Sequence, residues 1–202
     1  PLPVALGAAA ACVFATPDGP TVPLAWRSDG VVNAMGKLAL VPTFGLESNV
    51  ADGQTSRFDP LTYNFLKEFI EELFGAEELV HHADNEHHDP DSIFESPLAR
   101  LLIEEFAEGR ARLEVLGLCS ELTDGSLSIL LLADFDSHGF YREVRRHTQT
   151  NWEWSAAQRL QFRSIADFLP GQAEDAAAPL SSTSVVALDL VLGRLTRDHR
   201  VP

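Results

Sequence analysis

Residues 53–75, GQTSRFDPLTYNFLKEFIEELFG, hold the densest structural signal in the chain. Leu66, Phe69, Ile70 and Leu73 recur at i, i+3, i+4 and i+7 and draw one apolar stripe along a helix. Pro60 suits a first turn, Asp59 or Thr62 offers an N-cap, and Gly75 supplies a stop, so the helix is expected from about Pro60 to Phe74. Glu68, Glu71 and Glu72 share that helix at i, i+3 and i+4, within about 100° of arc and opposite the stripe. Three such carboxylates repel, each pair by about 3 kcal/mol at roughly 6 Å and an effective dielectric near 20, before screening. A bound Mg²⁺ or Mn²⁺ would turn that repulsion into ligation by hard oxygens. The plainer reading is the wet flank of an amphipathic helix.

Upstream, residues 4–16 and TVPLAWRS at 21–28 read as two strands joined across Asp18-Gly19. KLALVPTF at 37–44 reads as a further strand, followed by a polar loop up to Pro60. Downstream, residues 80–92 are rich in His and Asp and read as a loop, mobile and set apart from the glutamates. Ser96 to about Gly109 reads as a helix with Leu98, Leu101, Leu102 and Phe106 inward. Residues 111–119 and 126–135 read as paired strands, 138–148 as a short helix and QRLQFRSI as another strand. Residues 170–180 form an acidic connector before a last helix from Ser184 to Leu195. Strands interleaved with helices point to an α/β layered domain with a mixed sheet, and no internal repeat is visible.

At 202 residues with 45% hydrophobic content, the chain suits one compact domain over 1–202. Met35 is its only methionine, so Pro1 is not expected to be the natural start. Fifteen basic against thirty acidic residues leave a formal charge of −15, a surface that repels polyanions and argues against direct nucleic-acid binding. The basic knot of Arg142, Arg145, Arg146 and His147 is too small to reverse that. No apolar run reaches the roughly 18 residues of a membrane span, and AAAACVFA lacks the flanks of a signal peptide, so no membrane partner is expected. Cys12 and Cys119 are far apart without a CxxC motif and read as free thiols of a cytoplasmic protein.

The stretch from Gly53 to Gly75 resembles the Nudix box, which runs Gly, five residues, Glu, seven residues, then Arg-Glu-apolar-x-Glu-Glu-x-Gly. Here five residues separate Gly53 from Asp59, seven more lead to Lys67-Glu68-Phe69-Ile70-Glu71-Glu72, and Gly75 follows one place late. Asp59 for Glu and Lys67 for Arg keep the sign of charge at both positions. The flanks are compatible: LAWRS ends a strand in Arg27, KLALVPTF precedes the box, and NWEW leads into the last strand and helix. The glycine pair usual ahead of the box is replaced by Pro42-Thr43-Phe44-Gly45. The resemblance implies an α/β/α sandwich. It also implies Mg²⁺ (or Mn²⁺) held by Glu68, Glu72 and Glu71 with the backbone carbonyl of Gly53, Glu71 being a ligand or base. Asp59 and Lys67 become orienting residues that pair loop with helix, and Glu153 is a further acid from a late loop. Trp152 or Trp154 would stack on a base.

Two functional readings follow. One is Mg²⁺-dependent hydrolysis of a nucleoside diphosphate linked to another moiety. The other is a catalytically relaxed Nudix-like module that senses a nucleotide-type small molecule in a regulatory protein, such as a bacterial transcription regulator. A homodimer is compatible with either. A third option, an α/β interaction domain with a chance box, needs no metal. HHADNEHHDPD, with His81, His82, His87 and His88, invites a zinc or nickel ion but belongs to a loop rather than to rigid elements. Ser137-His138 beside Asp134 and Asp136 reads as a strand-to-helix connection, since no nucleophile elbow, Walker loop or Rossmann fingerprint is present.

Overall fold

A computed structural model describes residues 6–27, 36–51, 53–75, 89–121, 125–148, 160–169 and 179–201. The elements run β1 (Leu6–Phe14), β2 (Thr21–Trp26), β3 (Leu38–Leu40), β4 (Thr43–Gly45), β5 (Val50–Ala51) and β6 (Gln54–Thr55), then α1 (Pro60–Phe74) and α2 (Pro97–Ala107). They continue with β7 (Ala111–Ser120), β8 (Leu127–Phe135), α3 (His138–His147), β9 (Gln161–Ser164) and α4 (Ser182–Arg197). Seven strands form one sheet in the order β3-β2-β1-β8-β7, with β4 also on β1 and β9 on β2. The β1–β8 pairing is parallel and the other pairings are antiparallel, so the sheet is mixed.

β1 is the central strand, and its alternation separates two cores. Ala8, Ala10, Cys12 and Phe14 face one layer, while Ala9, Ala11 and Val13 face the other. The first layer is α1, α2 and α3, whose Phe65, Phe69, Leu102, Phe140 and Val144 meet the sheet. Aromatic contacts knit it together: Phe14 stacks on Phe135 with centroids 4.9 Å apart, and Phe69 lies 5.7 Å from Phe135. The second layer is α4, which contributes Ala187, Leu188, Val191 and Leu195. The result is an α/β/α sandwich: the alternation of strands and helices predicts the layered class, and the resemblance implies the sandwich.

Several differences from the sequence reading have physical causes. KLALVPTF is two strands, because Pro42 has no N–H to extend a ladder and the chain crosses from β2 to β1 there. The polar stretch after Gly45 contains the small hairpin β5–β6. Leu101 is exposed, while Ala99, Leu102 and Glu105 face inward, so the inward stripe of α2 is rotated from the expected one. α4 is longer than expected, starting at Ser182 where the Ser181 side chain accepts the Ser184 amide. Of the acidic connector, residues 170–178 lie outside the described ones. Pro179 and Leu180 pin its end to Leu38.

Candidate active site

α1 is built as its sequence predicts at both ends. Asp59 caps it, its Oδ1 accepting the amides of Leu61 and Thr62 at 3.0 and 3.1 Å. Burial opposes ionisation of this carboxyl, but hydrogen bonds from the Thr62 hydroxyl and from nearby amides outweigh it and hold it below its usual range. Gly75 closes the helix at φ 64°, its N–H bonded to the Ile70 carbonyl.

The middle of the helix is more enclosed than one apolar stripe allows. Leu66, Phe69, Ile70 and Leu73 are buried, and so are Asn64, Phe65, Lys67, Glu71 and Glu72. The glutamates therefore do not lie on a wet flank: Glu71 is 6% exposed, Glu72 2%, and Glu68 half-buried. The cause is that α1 is enclosed by the sheet, by α2 and α3, and by the loop after β4 that grips its side. Asn64 forms that grip, accepting the Glu47 amide and donating to the Glu47 carbonyl, both at 2.9 Å. Lys67 adds to it, Nζ donating to Glu47 Oε2 at 2.7 Å.

Buried carboxylates need counter-charge, or several kcal/mol of desolvation goes uncompensated. Lys67 Nζ stands 3.9 Å from Glu71, and Arg27, at the end of β2, stands 4.0 Å from Glu72. Desolvation would lower the Lys67 pKa, yet the bond to Glu47 and the charges of Glu71, Glu68 and Glu47 raise it, so the ammonium is held charged. Glu72 also lies over β1: burial foremost, and then its charge, push the Cys12 thiol well up. Cys12 and Cys119 are both free, and they belong to opposite cores.

Glu68, Glu71 and Glu72 thus arrive together on one helix, two of them inside the protein beside two cations. Asp59 and Lys67 take separate partners: Asp59 holds the helix start and Lys67 holds Glu47. Lys67 ties the helix to the loop after β4 through Glu47, not to Asp59. Gly53 sits at φ 77° on the exposed turn of the β5–β6 hairpin. Glu153, Trp152, Trp154, Asp84, Glu86 and the four histidines at 81, 82, 87 and 88 lie outside the described residues. Asp91, from the end of that His/Asp-rich stretch, is anchored on the box loop: it accepts the Ser56 hydroxyl and the Arg57 amide. The sequence reading missed Glu47 and Asn64. An asparagine inside a strongly apolar helix was the available signal, since such a group needs partners from elsewhere in the chain.

The donors are carboxylate oxygens, the hard ligands that Mg²⁺ and Mn²⁺ take, so their chemistry fits such an ion. Among the described residues no three His, Cys, Asp or Glu side chains are gathered to hold one. In the folded chain the acids face Lys67 and Arg27.

The sandwich, with the box segment on its enclosed helix, is a Nudix fold. No family model matches the chain, and no curated protein does. Among solved structures, NrtR of Shewanella oneidensis complexed with a 27mer DNA superposes with TM-score 0.53 at 14% identity, over 96% of this chain and 63% of that one. The MutT protein of Methanosarcina mazei Go1 gives 0.50 at 13% identity, over 98% and 97%. The NUDIX domain of Shewanella oneidensis NrtR complexed with ADP ribose gives 0.48 at 13% identity, over 95% and 88%. No helix among the described residues is long and apolar enough to cross a membrane.

Proposed function

We propose that the chain is a Mg²⁺- or Mn²⁺-dependent hydrolase acting on a nucleoside diphosphate linked to another moiety. The observation that carries this reading is the burial of Glu71 and Glu72, beside Lys67 and Arg27, on the helix that bears the box spacing. A helix kept only for packing would gain by placing apolar groups there, since replacing buried ion pairs with hydrophobic residues is often stabilising. Glu68, Glu71 and Glu72 would hold the ion. When bound, it polarises phosphoryl oxygens and eases deprotonation of the attacking water. Arg27 offers a fixed cation to a phosphoryl group, with Glu71 the candidate base. Lys67 sets its charge beside Glu71 and holds the box loop through Glu47.

A second reading, a ligand-sensing module, draws on the ion pairs that already neutralise Glu71 and Glu72, and on the likeness to NrtR, of whose length the chain covers 63%. The charge of −15 speaks against direct DNA contact by this chain in either reading. The test is a panel of nucleotide sugars, dinucleoside polyphosphates, NADH and ADP-ribose with Mg²⁺ or Mn²⁺. The hydrolase reading expects turnover that falls at least about 100-fold in Glu72→Gln, roughly 2.7 kcal/mol of transition-state stabilisation. The sensor reading expects no turnover in wild type but a melting temperature raised by one of these ligands. Neither turnover nor stabilisation would retire both.

A further inference from the structure

β7 is an edge of the main sheet, paired with β8 alone among the described residues, and it is one of the longest strands at 10 residues. Long open edges are normally blunted or covered, because their free backbone groups template another strand. This one also carries apolar side chains. Val115 is 54% exposed and Leu118 66%, the two highest values among the exposed large hydrophobic residues described. Their partners on β8 are Leu131 and Ile129, which belong to the α1-side core, so both project on that face of the sheet. Leu6, at the start of β1, is exposed on the same face, next to Leu127.

The opposite face of β7 is charged at its ends. Arg112 bonds Asp134 and Glu114 bonds Arg194, while Glu121, just past the strand, takes the Ser182 hydroxyl. Between them Leu116 and Cys119 pack into the α4-side core. The register shift between Val115 and Gly117 lets residues 115 and 118 share a face although they are three apart.

We propose that β7 pairs antiparallel with β7 of a second copy of this chain, about a dyad between Leu116 and Gly117. Such a contact is isologous and closes on itself, which an edge strand offered to unrelated partners need not do. In this register Val115 opposes Leu118 of the second copy, and the reverse, so all four exposed apolar groups cover one another. Arg112 opposes Glu121 twice, an opposite-charge pair at each end. Each pairing keeps both members on the same face, and the two irregular segments fall opposite each other with equal residue counts. A shift by one residue sets Val115 against Gly117 or Cys119 and undoes both matches.

The test begins with the mass of the full chain in solution by light scattering across a dilution series. Wild type should approach twice 22.1 kDa. Leu118→Lys, on an exposed position, should weaken association at least about tenfold, and at dilutions where both are monomeric it should melt with wild type. The register is read by Glu114→Cys, which sets a thiol opposite Cys119 of the second copy at a cross-strand separation a disulfide can span. Mild oxidation should link Glu114→Cys into covalent dimers, and Cys119→Ser in the same chain should abolish the link. A wild type that is monomeric throughout, a dimer indifferent to Leu118→Lys, or a dimer whose link fails to form or survives Cys119→Ser would overturn the proposal. None of these outcomes depends on turnover or on the metal.

Discussion

Asp134 on β8 and Glu72 on α1 are carboxylates on opposite faces of one sheet, with side chains 1% and 3% exposed. Their cations come from different parts of the chain. Asp134 takes Arg112 at 2.8 Å and Arg200 at 2.5 Å, two charge-assisted hydrogen bonds that tie the C-terminal segment to the sheet. Glu72 has Arg27 at 4.0 Å, and Glu71 has Lys67 of its own helix at 3.9 Å. Closely bonded acids hold structure together. Glu71 and Glu72 are compensated within α1 and from the end of β2, beside the box, on the helix proposed to hold the ion.

The largest expected effect tests Asp134. Asp134→Asn should cost about 3 kcal/mol in urea unfolding, because two guanidinium groups lose their shared counter-charge. Turnover or ligand binding should be unchanged. The matched substitution Glu72→Gln should remove at least about 100-fold of any metal-dependent rate. A rate lost in Asp134→Asn as fully as in Glu72→Gln would erase the distinction drawn between the clusters.

Smaller effects sharpen it. Asp59→Ala should lower stability by about 1 kcal/mol through the lost cap. Because the folded carboxyl titrates below its ordinary 3.8, its contribution is present above that pH and fades as pH falls through the folded value. The gap between variant and wild type should therefore narrow in acid; a gap that widens would assign Asp59 another role. Lys67 works at the other end of the scale. Its folded pKa lies above 10.5, so its contribution is complete below that value and is lost as pH rises through the folded one. Lys67→Gln should lose less stability than wild type between neutral pH and the alkaline range, read by thermal melts. If both lose it in parallel, the Glu47–Lys67–Glu71 chain contributes little.

Much of α1 was legible in the chain itself. The caps at Asp59 and Gly75 and the stripe Leu66, Phe69, Ile70 and Leu73 depend on local backbone chemistry and helical period, and both reach the structure intact. The strands β1, β7 and β8 declared themselves through apolar runs. The box spacing placed three glutamates on one helix and pointed to the sandwich. Which strand pairs with which was not local information: KLALVPTF reads as one strand because only the crossing from β2 to β1 at Pro42 divides it.

The surroundings of the glutamates were decided by tertiary structure alone. A helical wheel ranks faces by polarity, and on that ranking Glu71 and Glu72 belong in water. The folded chain puts them inside, because long-range partners change what burial costs. Arg27 arrives from β2 and Glu47 from the loop after β4, each separated from α1 by sequence that fixes no such meeting. Local pattern determined where helices and strands begin and end. Charge compensation between distant segments decided which polar groups those elements could bury.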